Sequence, residues 1–210
     1  MTASSDRGRF PGQDAMGQRS RWDPATRALI ERRVQTTGRT HFFHGRERDV
    51  ARHLLDHLVG QLDDAGPYID VLGAVDARLL ADETDGWHYD TMPSDREAWH
   101  TSVRALDDDA RSGSGSGFAE CGARMQRELI EAVRTWPSER RWHGMPPAAV
   151  WSLWTRYAMT AFYAHPSVWD EIGFAGPAYP RGYKNLGIGR REPFEVADAR
   201  PAPRRPEGQQ

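Results

Sequence analysis

Pro146-Pro147-Ala148-Ala149-Val150-Trp151-Ser152-Leu153-Trp154-Thr155-Arg156-Tyr157-Ala158-Met159-Thr160-Ala161-Phe162-Tyr163-Ala164-His165-Pro166 is bracketed by prolines. Proline is tolerated in the first turn of a helix, where its missing N–H would have no partner, and it stops a helix at the far end. Between them Val150, Trp151, Leu153, Trp154, Tyr157, Ala158, Ala161 and Phe162 are apolar on most sides of the cylinder. A helix hydrophobic nearly all round belongs at the centre of a helical core. The remaining chain is therefore read as what packs around it.

Upstream, the apolar spacing is helical throughout. Val50, Leu54, Leu55, Leu58, Val59 and Leu62 fall at intervals of three and four, predicting a helix from Gly45 to Leu62 with Phe42 or Phe43 folded over its first turn. Ile69, Leu72, Val75, Leu79 and Leu80 predict a second helix after the Gly66-Pro67 break. Ser94-Asp95-Arg96-Glu97 has capping-box spacing and opens a helix with Trp99, Val103 and Leu106 inward. Phe118, Cys121, Met125, Leu129, Ile130 and Val133 form another stripe, which ends near Trp136-Pro137. Ser112 to Gly117 (SGSGSG) reads as a mobile loop between helices. Asp23-Pro24 opens a short helix to Thr36 whose apolar content is thin, predicting a loosely docked arm. No period-two alternation bounded by turns competes with this pattern. The expected class is all-α.

Downstream, His165 to Glu195 cannot continue as a helix. Pro177, Pro180 and Pro193 lack amide donors, and five glycines between Gly173 and Gly189 permit left-handed backbone. Trp169, Phe174, Tyr179, Tyr183 and Phe194 recur among these breakers, which a disordered linker would not support. The expectation is an irregular helical bundle with a long Gly/Pro/aromatic-rich C-terminal ribbon. One helical domain spans 22–196 and includes the 165–195 ribbon, between disordered tails at 1–21 and 197–210.

The run HPSVWDEIGFAGPAYPRGY, followed by LGIGRREPFE, resembles the C-terminal signature of the gluconate 2-dehydrogenase subunit 3 family, supported upstream by WHYDTMPSDREAW and by the helix ending FYAHP. The resemblance runs from Phe42 to Glu195. It implies a helical, non-catalytic, chaperone-like subunit that binds, folds or stabilises a FAD-dependent sugar or sugar-acid dehydrogenase of the glucose–methanol–choline type. By this reading FAD sits in the partner, and a cytochrome c subunit is left open as a further partner. Beyond Gly173 the aromatics alternate with arginines, the residue types enriched at interfaces. Phe174, Tyr179, Arg181, Tyr183, Arg190, Arg191 and Phe194 are therefore the expected partner-binding set. His165, Trp169 and Ile172 are the expected structural anchors, with His165 capping the carbonyls of the helix before it and Ser167 capping the turn after it.

Composition narrows the alternatives. The 210-residue chain carries a net charge of −2, which gives nucleic-acid binding no electrostatic support. Arg32-Arg33 is followed by VQTTGR rather than an apolar run, so no export signal is found; the expected location is the cytoplasm unless a partner carries the chain out. No stretch approaches the ~20 apolar residues a membrane span needs. Cys121 is the single cysteine, read as an inert buried thiol on a helical stripe. His53 and His57 lie four apart on one helix face but lack a third ligand, and are read as solvated or core-edge. Asp107-Asp108-Asp109 lacks the spacing of a calcium loop and is read as solvated. Gly182 to Gly189 contains no G-x-G-x-x-G. The competing reading is a self-sufficient small helical oxidoreductase or isomerase using its own His and Asp residues. A flavoprotein gene beside this one separates the two.

Overall fold

In the computed structural model the chain is described over residues 9–35, 38–62, 68–87, 89–185, 187 and 189–199. The α-helices are α1 (Pro24–Val34), α2 (Gly45–Val59), α3 (Val71–Leu80), α4 (Asp95–Ser114), α5 (Ala123–Arg134), α6 (Pro147–Tyr163) and α7 (Pro166–Ile172), with short 3-10 turns at Met16–Arg21 and Phe118–Glu120. The described residues contain helices and turns and no strand, so the protein is all-α. The Gly66-Pro67 break, His88, residues 1–8 and residues 200–210 lie outside the described residues. The chain divides into two compact units, Gln35–Phe162 and a second built from Met1–Val34 with Tyr163–Gln210. Neither follows the sequence-based boundaries at 22 and 196.

The larger unit is built on α6, as its composition requires. Val150, Leu153, Trp154, Tyr157 and Ala158 are all buried. Trp154 donates its indole N–H to Ser102 on α4 at 2.9 Å and meets Trp142 edge-on at 5.7 Å. Trp99 on α4 packs edge-on against Tyr157 and against Phe43, with centroids 5.8 Å away in both cases. These rings carry the quadrupole-favoured T-shaped geometry. Ser94 and Glu97 form the capping box expected at the start of α4.

Several boundaries differ from the sequence reading, each for a local reason. Gly60, at φ 74°, ends α2 ahead of Leu62, which is 40% exposed. Helix α4 runs through the first half of the SGSGSG segment, because its left-handed stop is Gly115 at φ 78°. Phe118 is fully buried but sits in the 3-10 turn, and Cys121 leaves that turn in extended backbone and is only half-buried. The expected stripe from Phe118 into α5 is thus two elements, and the inert, helix-borne thiol is corrected. Asp107 and Asp109 are not merely solvated. Asp107 accepts the amide of Phe118 at 2.8 Å and pairs with Arg111, while Asp109 accepts from the Trp142 indole at 2.8 Å.

The smaller unit overturns the expected N-terminal disorder from Arg9 onward. Ala15, Trp22, Ile30 and Trp169 form one buried cluster. Asp23 caps α1 through the amides of Ala25 and Thr26, as Asp23-Pro24 suggests. Its inward residue is Ile30, 1% exposed, while Leu29 and Val34 face solvent. The amide of Ala15 donates to Asp170 on α7 at 2.7 Å. A Cβ at Gly173, where φ is 75°, would lie 2.5 Å from the Phe10 ring, so glycine is needed there for both conformation and space. Further along, Arg9 pairs with Asp198, and the amide of Ala199 donates to the Arg9 carbonyl. These contacts join residue 9 to residues 198 and 199.

Candidate functional site

The anchor residues come first, because they set the direction of the ribbon. Trp169 is 5% exposed and its indole donates to the Tyr163 carbonyl at 2.7 Å. His165 is the N-cap of α7. Its Nδ1 accepts the amide of Ser167 at 3.3 Å, so it caps the helix after it and not the carbonyls of the helix before it. An acceptor nitrogen must be unprotonated, and burial pushes the imidazole below its ordinary pKa in the same direction. Ser167 supplies the amide and not the cap. Ile172 is 47% exposed and is no anchor, because α7 ends one residue later at Gly173 with its buried side on Val168 and Trp169.

Along the ribbon, Phe174 packs edge-on against Trp169 at 5.3 Å and remains 38% exposed. Tyr179 is 69% exposed and Tyr183 44%. Arg190 and Arg191 are exposed as well. Arg181 and Phe194 are different. The Arg181 guanidinium lies 3.4 Å from the Phe194 ring centroid and donates to Gln18 at 3.0 Å. Burial pushes the Arg181 pKa down, with Arg21 adding to it, while Tyr183, Glu192 and Glu195 oppose the shift. The seven expected docking residues are therefore split: five present their side chains to solvent, and two hold each other within the unit. Glu192, 6% exposed, accepts the amides of Lys184 and Asn185 and fixes that turn. Nothing in the sequence marks that role, since the carboxylate's partners are backbone groups.

In the larger unit, sequence reasoning missed a charged cluster. Arg78 on α3 and Arg156 on α6 both pair with Asp85, and Arg156 reaches Asp95 at 3.2 Å. Tyr157 donates to Asp95 at 2.8 Å, and burial together with that bond pushes its phenol pKa up. Arg156 also stacks under Trp87 at 5.0 Å, and Trp87 meets Tyr89 edge-on while about half of each ring faces solvent. The exposed pair is thereby held on a fixed guanidinium. The signal available in sequence was the aromatic pair itself, two residues apart in a proline-bounded loop. His57 bonds Gln126 at 2.9 Å, and His53 lines a surface cleft with Arg46, Asp49 and Arg111. Among the described residues no three His, Cys, Asp or Glu side chains are placed to share a metal ion, and no helix is long and apolar enough to cross a membrane.

Against known proteins, the family model described as Gluconate 2-dehydrogenase subunit 3 matches residues 45–176. The match stops short of the resemblance traced to Glu195, so it includes Phe174 and the anchors but not the ribbon from Pro177 on. No curated protein and no solved structure matches.

Proposed function

The chain belongs to the gluconate 2-dehydrogenase subunit 3 family, and from that membership we propose that it is the non-catalytic small subunit of an oxidoreductase complex. It binds and stabilises a FAD-carrying dehydrogenase of the glucose–methanol–choline type, which oxidises a sugar or sugar acid. The flavin belongs to the large subunit, and hydride passes to it there. This chain's contribution is surface: Phe174, Tyr179 and Tyr183, with Arg190 and Arg191, supply large side chains that lose water when a partner covers them. Its own location is the cytoplasm, unless that partner takes it elsewhere.

The family match over 45–176 is the observation that carries this reading. Co-expression with a flavoprotein dehydrogenase encoded beside it tests it. The expected result is co-elution in size-exclusion chromatography, with the flavin absorbance in the complex and none in the small subunit alone. Stoichiometric flavin in the lone subunit, or two proteins that elute apart, overturns the proposal.

A further inference from the structure

Between the end of α3 at Leu80 and the start of α4 at Asp95 the chain runs through a long connection, residues 81–94. Its described residues form neither helix nor strand, and a connection of that length is uncommon in a compact unit unless it carries a function. The loop is not slack. Arg78 and Arg156 hold one oxygen each of Asp85, and Arg78 Nε also donates to the Glu83 carbonyl at 2.9 Å. At its far end Met92, 9% exposed, donates its amide to the Tyr89 carbonyl at 3.0 Å.

What this framework presents is Trp87 and Tyr89, edge to face at 5.5 Å, with 49% and 46% of their surfaces exposed. Apolar side chains scattered singly over a surface are ordinary. These two are not scattered. They pack on each other, and Trp87 lies 5.0 Å from the Arg156 guanidinium, itself fixed by Asp85 and by Asp95 at 3.2 Å. Trp99, Trp142 and Trp154 of the same unit are buried, and among the described residues Trp87 is the one tryptophan that stands exposed. Tryptophan, tyrosine and arginine dominate binding energy at protein interfaces, and holding them in place before contact lowers the ordering cost of association.

The charge around the pair defines its partner. Residues 81–94 contain no lysine or arginine. Asp85 and Asp95 offset Arg78 and Arg156, which leaves Asp82, Glu83 and Asp90 as exposed carboxylates on the loop. One further cation stands at its base, Arg96, which donates to the Leu80 carbonyl at 3.3 Å. An aromatic centre with an acidic rim complements an apolar pocket flanked by basic side chains, and it repels a nucleic acid.

We propose that Trp87 and Tyr89 are the anchor by which this chain docks on its flavoprotein, in an apolar pocket of that subunit ringed by lysine or arginine. This surface deepens the accessory-subunit reading, on which it rests. It falls inside the family match over 45–176, whereas the ribbon from Pro177 on falls outside it.

The test binds the full chain and its variants to an immobilised flavoprotein dehydrogenase encoded beside it, with the folded fraction of each variant measured in parallel. Trp87→Ala should weaken affinity about thirtyfold and Tyr89→Ala about tenfold, beyond any loss of folded chain. Should Trp87→Ala fold poorly, the exposed charge reversal Asp90→Lys carries the test. It should slow association several-fold at low salt, and the difference should close at high salt; an unchanged association rate overturns the proposal. If the wild-type chain binds and the aromatic variants bind equally well, this surface is removed and the accessory-subunit reading stands. A wild-type chain that does not bind removes both. Self-association of the lone chain that Trp87→Ala abolishes assigns the surface to a second copy and overturns the proposal as well.

Discussion

Asp76 gathers three backbone amides onto one carboxylate: His41 at 2.7 Å, Phe42 at 3.0 Å and Phe43 at 2.8 Å. At 1% exposure it has no water to fall back on, and the turn that seats Phe43 against Trp99 hangs from it. Asp76→Asn leaves one acceptor oxygen for three donors and should cost about 2–3 kcal/mol, read as a lower urea midpoint at unchanged slope. His165 makes the second residue-scale prediction. Its pKa is depressed in the folded state, so its contribution is fully present above the unfolded value of about 6.5 and is lost as pH falls through the folded one. His165→Asn keeps a capping acceptor that does not titrate. The wild-type chain should lose stability relative to this variant as pH falls from about 7.5 to below the folded pKa of His165. Parallel urea midpoints at the two pH values would remove that role. Neither residue was legible beforehand. A carboxylate that serves amides more than thirty positions away leaves no local pattern, and a histidine before a proline is equally consistent with capping either helix.

At the scale of elements, sequence legibility followed the source of each signal. Helices α2, α4 and α6 were readable because burial imposes a period, and the α4 start because the Ser94–Glu97 box is purely local. The C-terminal end of α4 was misplaced because SGSGSG contains three candidate stops, and only packing selects Gly115. The ribbon's aromatics were readable as a set but not in their division of labour. Arg181 and Phe194 serve their own unit, Tyr183 tilts against Phe194 at 6.2 Å with 44% of it exposed, and Tyr179 is 69% exposed. That division yields a prediction. Tyr179→Ala and Tyr183→Ala should each weaken co-purification of a partner, by about 2 kcal/mol for a well-packed anchor, with melting of the lone subunit nearly unchanged. Trp169→Ala should instead lower melting of the subunit itself, by roughly 3–5 kcal/mol. If all three substitutions lower melting alike and binding follows only the folded fraction, the tyrosines are core.

At the scale of the whole molecule, the chain's two ends make one compact unit and its middle makes the other. The stretch from Arg9 to Arg21 lacks periodicity, which is why it read as a disordered tail. What orders it is long-range: Ala15 and Trp22 lie in the cluster around Trp169, Gln18 holds Arg181, and the Gln13 side chain accepts the amide of Val196 at 3.4 Å. It also lies outside the family match, as does the ribbon from Pro177 on that it clasps. Deleting residues 1–22 should therefore act on one unit and spare the other. The aromatic core of Trp99, Trp154 and Phe43 belongs to Gln35–Phe162, so amides of α2, α4 and α6 in that unit should keep their slow hydrogen exchange. Amides of α7 and of residues 174–185 should exchange faster, and limited proteolysis should open cleavage sites within 174–199. A Gly173→Ala substitution, which meets the Phe10 ring at 2.5 Å and strains a φ of 75°, should reproduce the same pattern in milder form without removing any residue. If truncation instead raises exchange evenly through α2, α4 and α6, the N-terminal segment supports the whole chain. If exchange in 174–185 stays slow, the ribbon is held by contacts other than those with residues 9–22.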